Sequence, residues 1–172
     1  MKTSSLAAAL MGLMALNVSA RLGDTERQCV ERYGSALSTP VMTLSSLMEG
    51  ADRLAVYEYQ GFKIRVAFMG GQVVRQSYQR IKPVDGSLKL TESEIAAILD
   101  AERGEGQWVR TSGGVFGGLI SPGRAWERST DKATAHCVTG ITLTLDTPAA
   151  KEREAAFRRE QKEGRSRPVP KF

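Results

Sequence analysis

His136 is the only histidine in this 172-residue chain, and Cys29 and Cys137 are its two cysteines. Any Ser-His-Asp arrangement would have to recruit His136 as its base. The sequence places it in a strand beside Cys137, and adjacent strand residues point to opposite faces. His136 and Cys137 therefore should not form a dyad with each other. Cys29 with His136 is the remaining thiol–imidazole pair, and it defines one alternative reading, a cysteine-dependent enzyme. Zinc ligation by Cys29, His136 and Cys137 would need a C-x-x-C or H-x-x-x-H spacing that the chain lacks, so no metal site is expected. The run Gly113-Gly114-Val115-Phe116-Gly117-Gly118 lacks the Lys-Ser/Thr ending and the strand-to-helix context of a phosphate loop. Residues 112–123 read instead as a Gly-rich loop, and Val115, Phe116, Leu119 and Ile120 make its tip a candidate partner-binding loop. Trp108 and Trp126 flank the loop as core anchors. Glu92, Glu94, Asp100 and Glu102 read as helix-capping groups and a solvated helix face, and no carboxylate pair suits acid–base work. No catalytic residue and no cofactor is expected.

The elements that would position these residues follow from the spacing of apolar side chains. Residues 25–33 read as a short helix with Asp24 as N-cap, Glu26 in the first turn and Gly34 as its stop. Residues 54–59, 62–69 and 72–79 are three strands separated by Gln60-Gly61 and Gly70-Gly71 turns. Phe62, Ile64, Val66 and Phe68 alternate with Lys63, Arg65 and Ala67, the pattern of a half-buried antiparallel strand. A Gly-Gly pair tolerates the positive φ angles of a two-residue hairpin loop. Thr91 and Glu94 form a capping box, and Ile95, Ile98 and Leu99 follow on one helical face, which should pack on the 62–68 strand. Residues 107–111, 125–128, 133–138 and 141–146 read as further strands. Thr147-Pro148 opens a charged helix over 149–163, in which Glu154 and Arg158 are spaced for an i,i+4 pair. Phe157 is its only large apolar residue, so weak packing is expected. The domains expected are a globular unit over 21–147, a charged helix over 148–164 and a disordered tail over 165–172.

The amino terminus has the plan of a cleavable secretory signal: Lys2, an apolar run over 6–16, then Asn17-Val18-Ser19-Ala20. Cleavage between Ala20 and Arg21 would leave about 150 residues, enough for one domain with a real core. The apolar run is shorter than the roughly 20 residues of a spanning helix. Arg21 stands where a lipoprotein would carry cysteine, so a soluble, exported product without a transmembrane anchor is expected, periplasmic or extracellular. Export to an oxidising compartment makes Cys29 and Cys137 disulfide candidates. Such a bridge would close most of the domain, worth about 4–5 kcal/mol in the chain-entropy model. The net charge of +5 is modest. Lys162, Arg165, Arg167 and Lys171 concentrate part of it in the tail, where an acidic polymer or membrane surface could be met. No aromatic residues interleave with them, so no specific nucleic-acid binding is expected.

The stretch Arg21-Leu-Gly-Asp-Thr-Glu-Arg-Gln-Cys-Val-Glu-Arg-Tyr-Gly34 resembles the opening of a group of small exported bacterial proteins without assigned function. Leu88-Lys-Leu-Thr-Glu-Ser-Glu-Ile95 and Trp126-Glu-Arg-Ser129 resemble the same group. The resemblance implies export and no activity. Gly23, Thr25 and Gly34 also resemble, locally, the small lipoprotein of the outer-membrane β-barrel assembly machine, which implies an assembly role. Here Tyr33 replaces Leu, Ala36 replaces Pro, and the lipid-attachment Cys is missing.

The expectation is thus a single α+β domain, an antiparallel meander sheet packed by short helices. Its expected role is non-catalytic binding of another envelope component, with a protein partner.

Overall fold

The computed structural model describes residues 21–37, 47–111, 115–116, 119–120 and 123–165. The expected signal over residues 1–20 and the expected tail beyond 165 lie outside the described residues. Helix α1 (Glu26–Tyr33) leads into strands β1 (Arg53–Tyr59), β2 (Phe62–Met69) and β3 (Gln72–Arg80). Helix α2 (Glu92–Ala101) precedes β4 (Trp108–Thr111). A short hairpin of β5 (Val115–Phe116) and β6 (Leu119–Ile120) comes next. Strands β7 (Arg124–Arg128), β8 (Thr134–Val138) and β9 (Thr142–Asp146) follow, and α3 (Pro148–Arg165) closes the described chain.

Seven strands form one open antiparallel sheet in the order β1-β2-β3-β9-β8-β7-β4. It consists of two meanders joined where β3 meets β9, with Ser77 opposite Thr144. This is the α+β domain that the alternating pattern implies. The expected Gly-rich loop over 112–123 is instead partly paired, Val115 with Ile120 and Phe116 with Leu119.

Strand alternation gives the sheet two unlike faces. On the first, α1 and α2 cover a large core that includes Ile64, Val66, Tyr78, Leu143 and Leu145. Ile95, Ile98 and Leu99 of α2 join this core, as their spacing requires. On the second, α3 covers a smaller cluster of Leu47, Met48, Ala67, Val74 and Ala150. A β-bulge between Ala67 and Phe68 makes room for the extra residue Val74.

The cap expected for α2 is present, and that expected for α1 is shifted by one residue. Thr91 Oγ1 accepts from the Glu94 backbone N–H at 3.2 Å, and the Glu94 carboxylate accepts from Thr91 N–H at 2.8 Å. For α1 the capping box uses Thr25 and Gln28, one residue beyond the Asp24 cap expected. Asp24 instead pairs with Arg32 and accepts from Arg21 N–H at 2.9 Å. Thr147 Oγ accepts from Ala150 N–H at 3.2 Å and starts α3. That helix is held more firmly than its single Phe suggests: Ala150 is fully buried, and Glu154 accepts from Arg75 Nη2 at 3.0 Å. No described helix is long and apolar enough to cross a membrane.

Candidate functional site

The first face is built around the junction of α1, α2 and β3. Two backbone bonds dock the start of α1 onto β3: Gly23 N–H donates to Val73 O and Val73 N–H to Asp24 O, both at 2.8 Å. The docking fixes the buried face of α1, so Cys29 and Tyr33 point into the sheet. Tyr33 packs beside Tyr57 and Tyr59, with ring centroids 5.4 and 5.5 Å away.

Glu102 caps the C-terminal end of α2 and has no exposed surface. The sequence suggests a solvated face for it; the structure buries it, because it continues the stripe of Ile95, Ile98 and Leu99 at helical spacing. That spacing was the available signal. Tyr78 O–H donates to Glu102 Oε1 at 2.7 Å. Tyr33 and Tyr78 hydroxyls meet at 3.1 Å. The Gln76 amide satisfies its neighbours with nitrogen toward Glu102, 3.0 and 3.2 Å from the two carboxyl oxygens. Among the described residues no guanidinium is hydrogen-bonded to the carboxyl group itself. Arg128 donates to the Glu102 backbone carbonyl at 2.6 Å, while its other nitrogens hold Asp131 at 2.8 and 2.6 Å. The Arg128 guanidinium also lies 5.3 Å from the centre of the Trp108 ring.

Burial pushes the Glu102 carboxyl up to about 8, against the Tyr78 hydrogen bond and the positive charges of Arg128 and Arg32. The group is therefore mainly protonated at neutral pH. Tyr33 and Tyr78 are both held well above the ordinary phenol value, by burial first and then by the Glu102 charge.

A cavity of about 480 Å3 lies between α2 and the ends of β1–β3, and Tyr33 and Tyr78 of this hydroxyl chain are among the residues that line it. Tyr33, Tyr59, Phe62, Ile64 and Tyr78 form its apolar walls and floor. Arg21, Arg103, Glu94 and Asp100 stand at its margin. Glu94 is already committed to Arg80 and to its own cap, and Asp100 lies 3.5 Å from Arg103. Apolar rings with a few convergent hydroxyls are the usual lining of a small-ligand site.

No protein-family model, curated protein or solved structure matches this chain.

The residues that the sequence brings forward are scattered by the fold. Cys29 and Cys137 are both free thiols and both buried, and they are not near each other. The expected disulfide is thus corrected: Cys29 on α1 packs over the first meander, whereas Cys137 on β8 lies 4.0 Å from Arg124 Nη2 in the second. Burial pushes the Cys29 thiol up to about 12, with Asp24 adding to the rise. His136 faces the α3 side of the sheet, opposite to Cys29, so the two form no thiol–imidazole pair. It is no ordinary surface residue either: its side chain is 15 % exposed, and Nδ1 lies 3.8 Å from Asp146 Oδ2. Burial, then Arg75 and Lys151, lower the His136 pKa to about 4, so the ring is neutral at pH 7. Among the described residues no His, Cys, Asp and Glu cluster could hold a metal ion. Trp108 and Trp126 are half-buried against the main core. Val115, Phe116, Leu119 and Ile120 are described in their backbone pairing only.

Proposed function

We propose that this chain is an exported, non-catalytic domain that binds another component of the cell envelope through the cavity between α2 and β1–β3. The observation that carries this reading is the cavity floor. There the Tyr33 and Tyr78 hydroxyls belong to a buried chain ending on Glu102. The aromatic walls supply area for an apolar or ring-bearing group, and the hydroxyls supply directional hydrogen bonds. A proton held on Glu102 keeps the floor uncharged at neutral pH, which favours a neutral group there over an ion.

The reactive groups favour a non-catalytic role. Cys29 has no exposed surface and a thiol held far above neutral pH, and His136 lies across the sheet. Residues 1–20, with the plan of a secretory signal, support export. Arg21, the residue that cleavage would make the amino terminus, stands at the cavity margin.

The experiment is photocrosslinking in the source cell from position 97, an exposed residue of α2 on the cavity margin, with position 127 on β7 as control. The reading predicts one envelope component captured from position 97 and not from 127, on a chain whose mass begins at Arg21. Capture from both positions equally, or a chain that keeps Met1 and stays in the cytoplasm, contradicts it.

A further inference from the structure

The α3 side of the sheet holds a second polar constellation, independent of the cavity. Four buried polar atoms there have no hydrogen-bond partner: Arg65 Nε, Ser77 Oγ, Thr134 Oγ1 and Asp146 Oδ2. Register explains why they cluster. Arg65 lies opposite Ser77, Ser77 opposite Thr144, and Thr144 opposite His136, so these side chains form one row across β2, β3, β9 and β8. Arg75, Asp146 and Thr134 form the next row. Neighbouring strands are about 4.8 Å apart, so a ligand on Ser77 reaches both Arg65 and Thr144.

The two arginines of these rows differ in commitment. Arg75 is bound to Asp146, to Glu154 and to the Leu47 carbonyl. Among the described residues Arg65 has no ion-pair partner, although its Nε is buried. Ser77 is 1 % exposed and its hydroxyl is orphaned. Buried polar atoms are paired in the great majority of cases, so a cluster of orphans calls for a bound group. Its sign follows from the surroundings. The row offers a guanidinium, two hydroxyls and a neutral imidazole, a set rich in donors. Arg75 and Lys151 still act on His136 as net positive neighbours, even with Asp146 close by. The acceptor Asp146 Oδ2 sits one row away, beside its guanidinium. A cation would meet three basic side chains here, and an apolar group would leave the orphans unpaired.

We propose that the Arg65–Ser77–Thr144 row is a binding site for a compact oxyanion, a phosphate or sulfate group, with His136 at its flank. Arg65 supplies the charge, and the Ser77 and Thr144 hydroxyls supply the orientation. The group is either free or the head of a larger molecule, and the shared chemistry is a tetrahedral oxyanion.

The test is NMR of the full chain, following the ring of His136, whose signals need no assignment because it is the only histidine. Inorganic phosphate is titrated at constant ionic strength, and vesicles of phosphatidylglycerol are compared with phosphatidylcholine. The site predicts a saturable shift with phosphate, or with the phosphatidylglycerol vesicles alone if the group arrives as a headgroup. It also predicts a bound-state His136 midpoint above that of the free protein. Arg65→Gln should weaken binding at least tenfold, Arg65→Lys should restore part of it, and Ser77→Ala should weaken it severalfold with the urea midpoint little changed. No saturable shift with either ligand, or equal binding by wild type and Arg65→Gln, overturns the proposal.

Discussion

Each face of the sheet buries one carboxyl group completely, Glu102 on the α1/α2 side and Asp146 on the α3 side. They are accommodated by opposite means. Among the described residues the Glu102 carboxyl meets only uncharged partners, the Tyr78 hydroxyl and the Gln76 amide, and burial keeps its proton in place. Asp146 is ion-paired with Arg75, which Glu154 of α3 also engages. Burial pulls the Arg75 guanidinium down, yet Asp146 and Glu154 together hold it above its ordinary value. The lesson concerns use. A neutral hydrogen-bonded floor can line a cavity without repelling an uncharged ligand, whereas a charged pair works as a fastener between sheet and helix.

The contrast predicts opposite responses to pH. Glu102 has a folded value raised from 4.5 to about 8, so the folded state binds the extra proton between those limits. Its stabilising contribution is full below about 4.5 and is lost as pH rises through 8, a change on the order of 5 kcal/mol. Glu102→Gln should therefore unfold in urea at nearly the wild-type midpoint at pH 5 and at a clearly higher one at pH 9. A variant that follows wild type at both pH values would break the comparison.

On the other face, Arg75→Met leaves Asp146 buried without its cation. The loss should be about 3–5 kcal/mol at pH 7, read by the same urea unfolding. A loss below about 1 kcal/mol would mean that the pair fastens nothing. His136 sharpens the contrast from the acid side. Its folded value is lowered from 6.5 to about 4, so the unfolded chain binds more protons in that window. Stability from this group is present above 6.5 and is lost as pH falls through 4, on the order of 3 kcal/mol. His136→Asn should flatten the decline between pH 6.5 and 4, measured as the difference from wild type. The smallest effect expected is that of Tyr33→Phe. It removes one hydroxyl from the Tyr78 chain and should lower stability by about 1 kcal/mol at pH 7.

Much of the framework was legible locally. The Thr91–Glu94 box, the Gly70-Gly71 turn and the alternation of residues 62–69 each concern neighbours in the chain, and each appears in the structure. The candidate sites were not legible, because their burial depends on pairing between distant segments. Arg75 and Asp146 lie in alternating strands, where charged residues read as solvent-facing. Only the junction of β3 with β9 puts them opposite each other. Glu102 sat on a readable apolar stripe, but its charge argued for solvent until Tyr78 and Gln76 were brought beneath it. The thiols misled for the converse reason. The expectation of export favoured a bridge, but their chain positions said nothing of the separation that the two meanders impose.

The central claim is that the cavity rests on a protonated, uncharged floor. The most direct measurement is the carboxyl 13C shift of Glu102 in the full chain, assigned by its loss in Glu102→Gln and followed from pH 4 to pH 10. The account predicts a midpoint near 8. A midpoint near 4.5, the ordinary value for this side chain, would mean a charged floor and would contradict it.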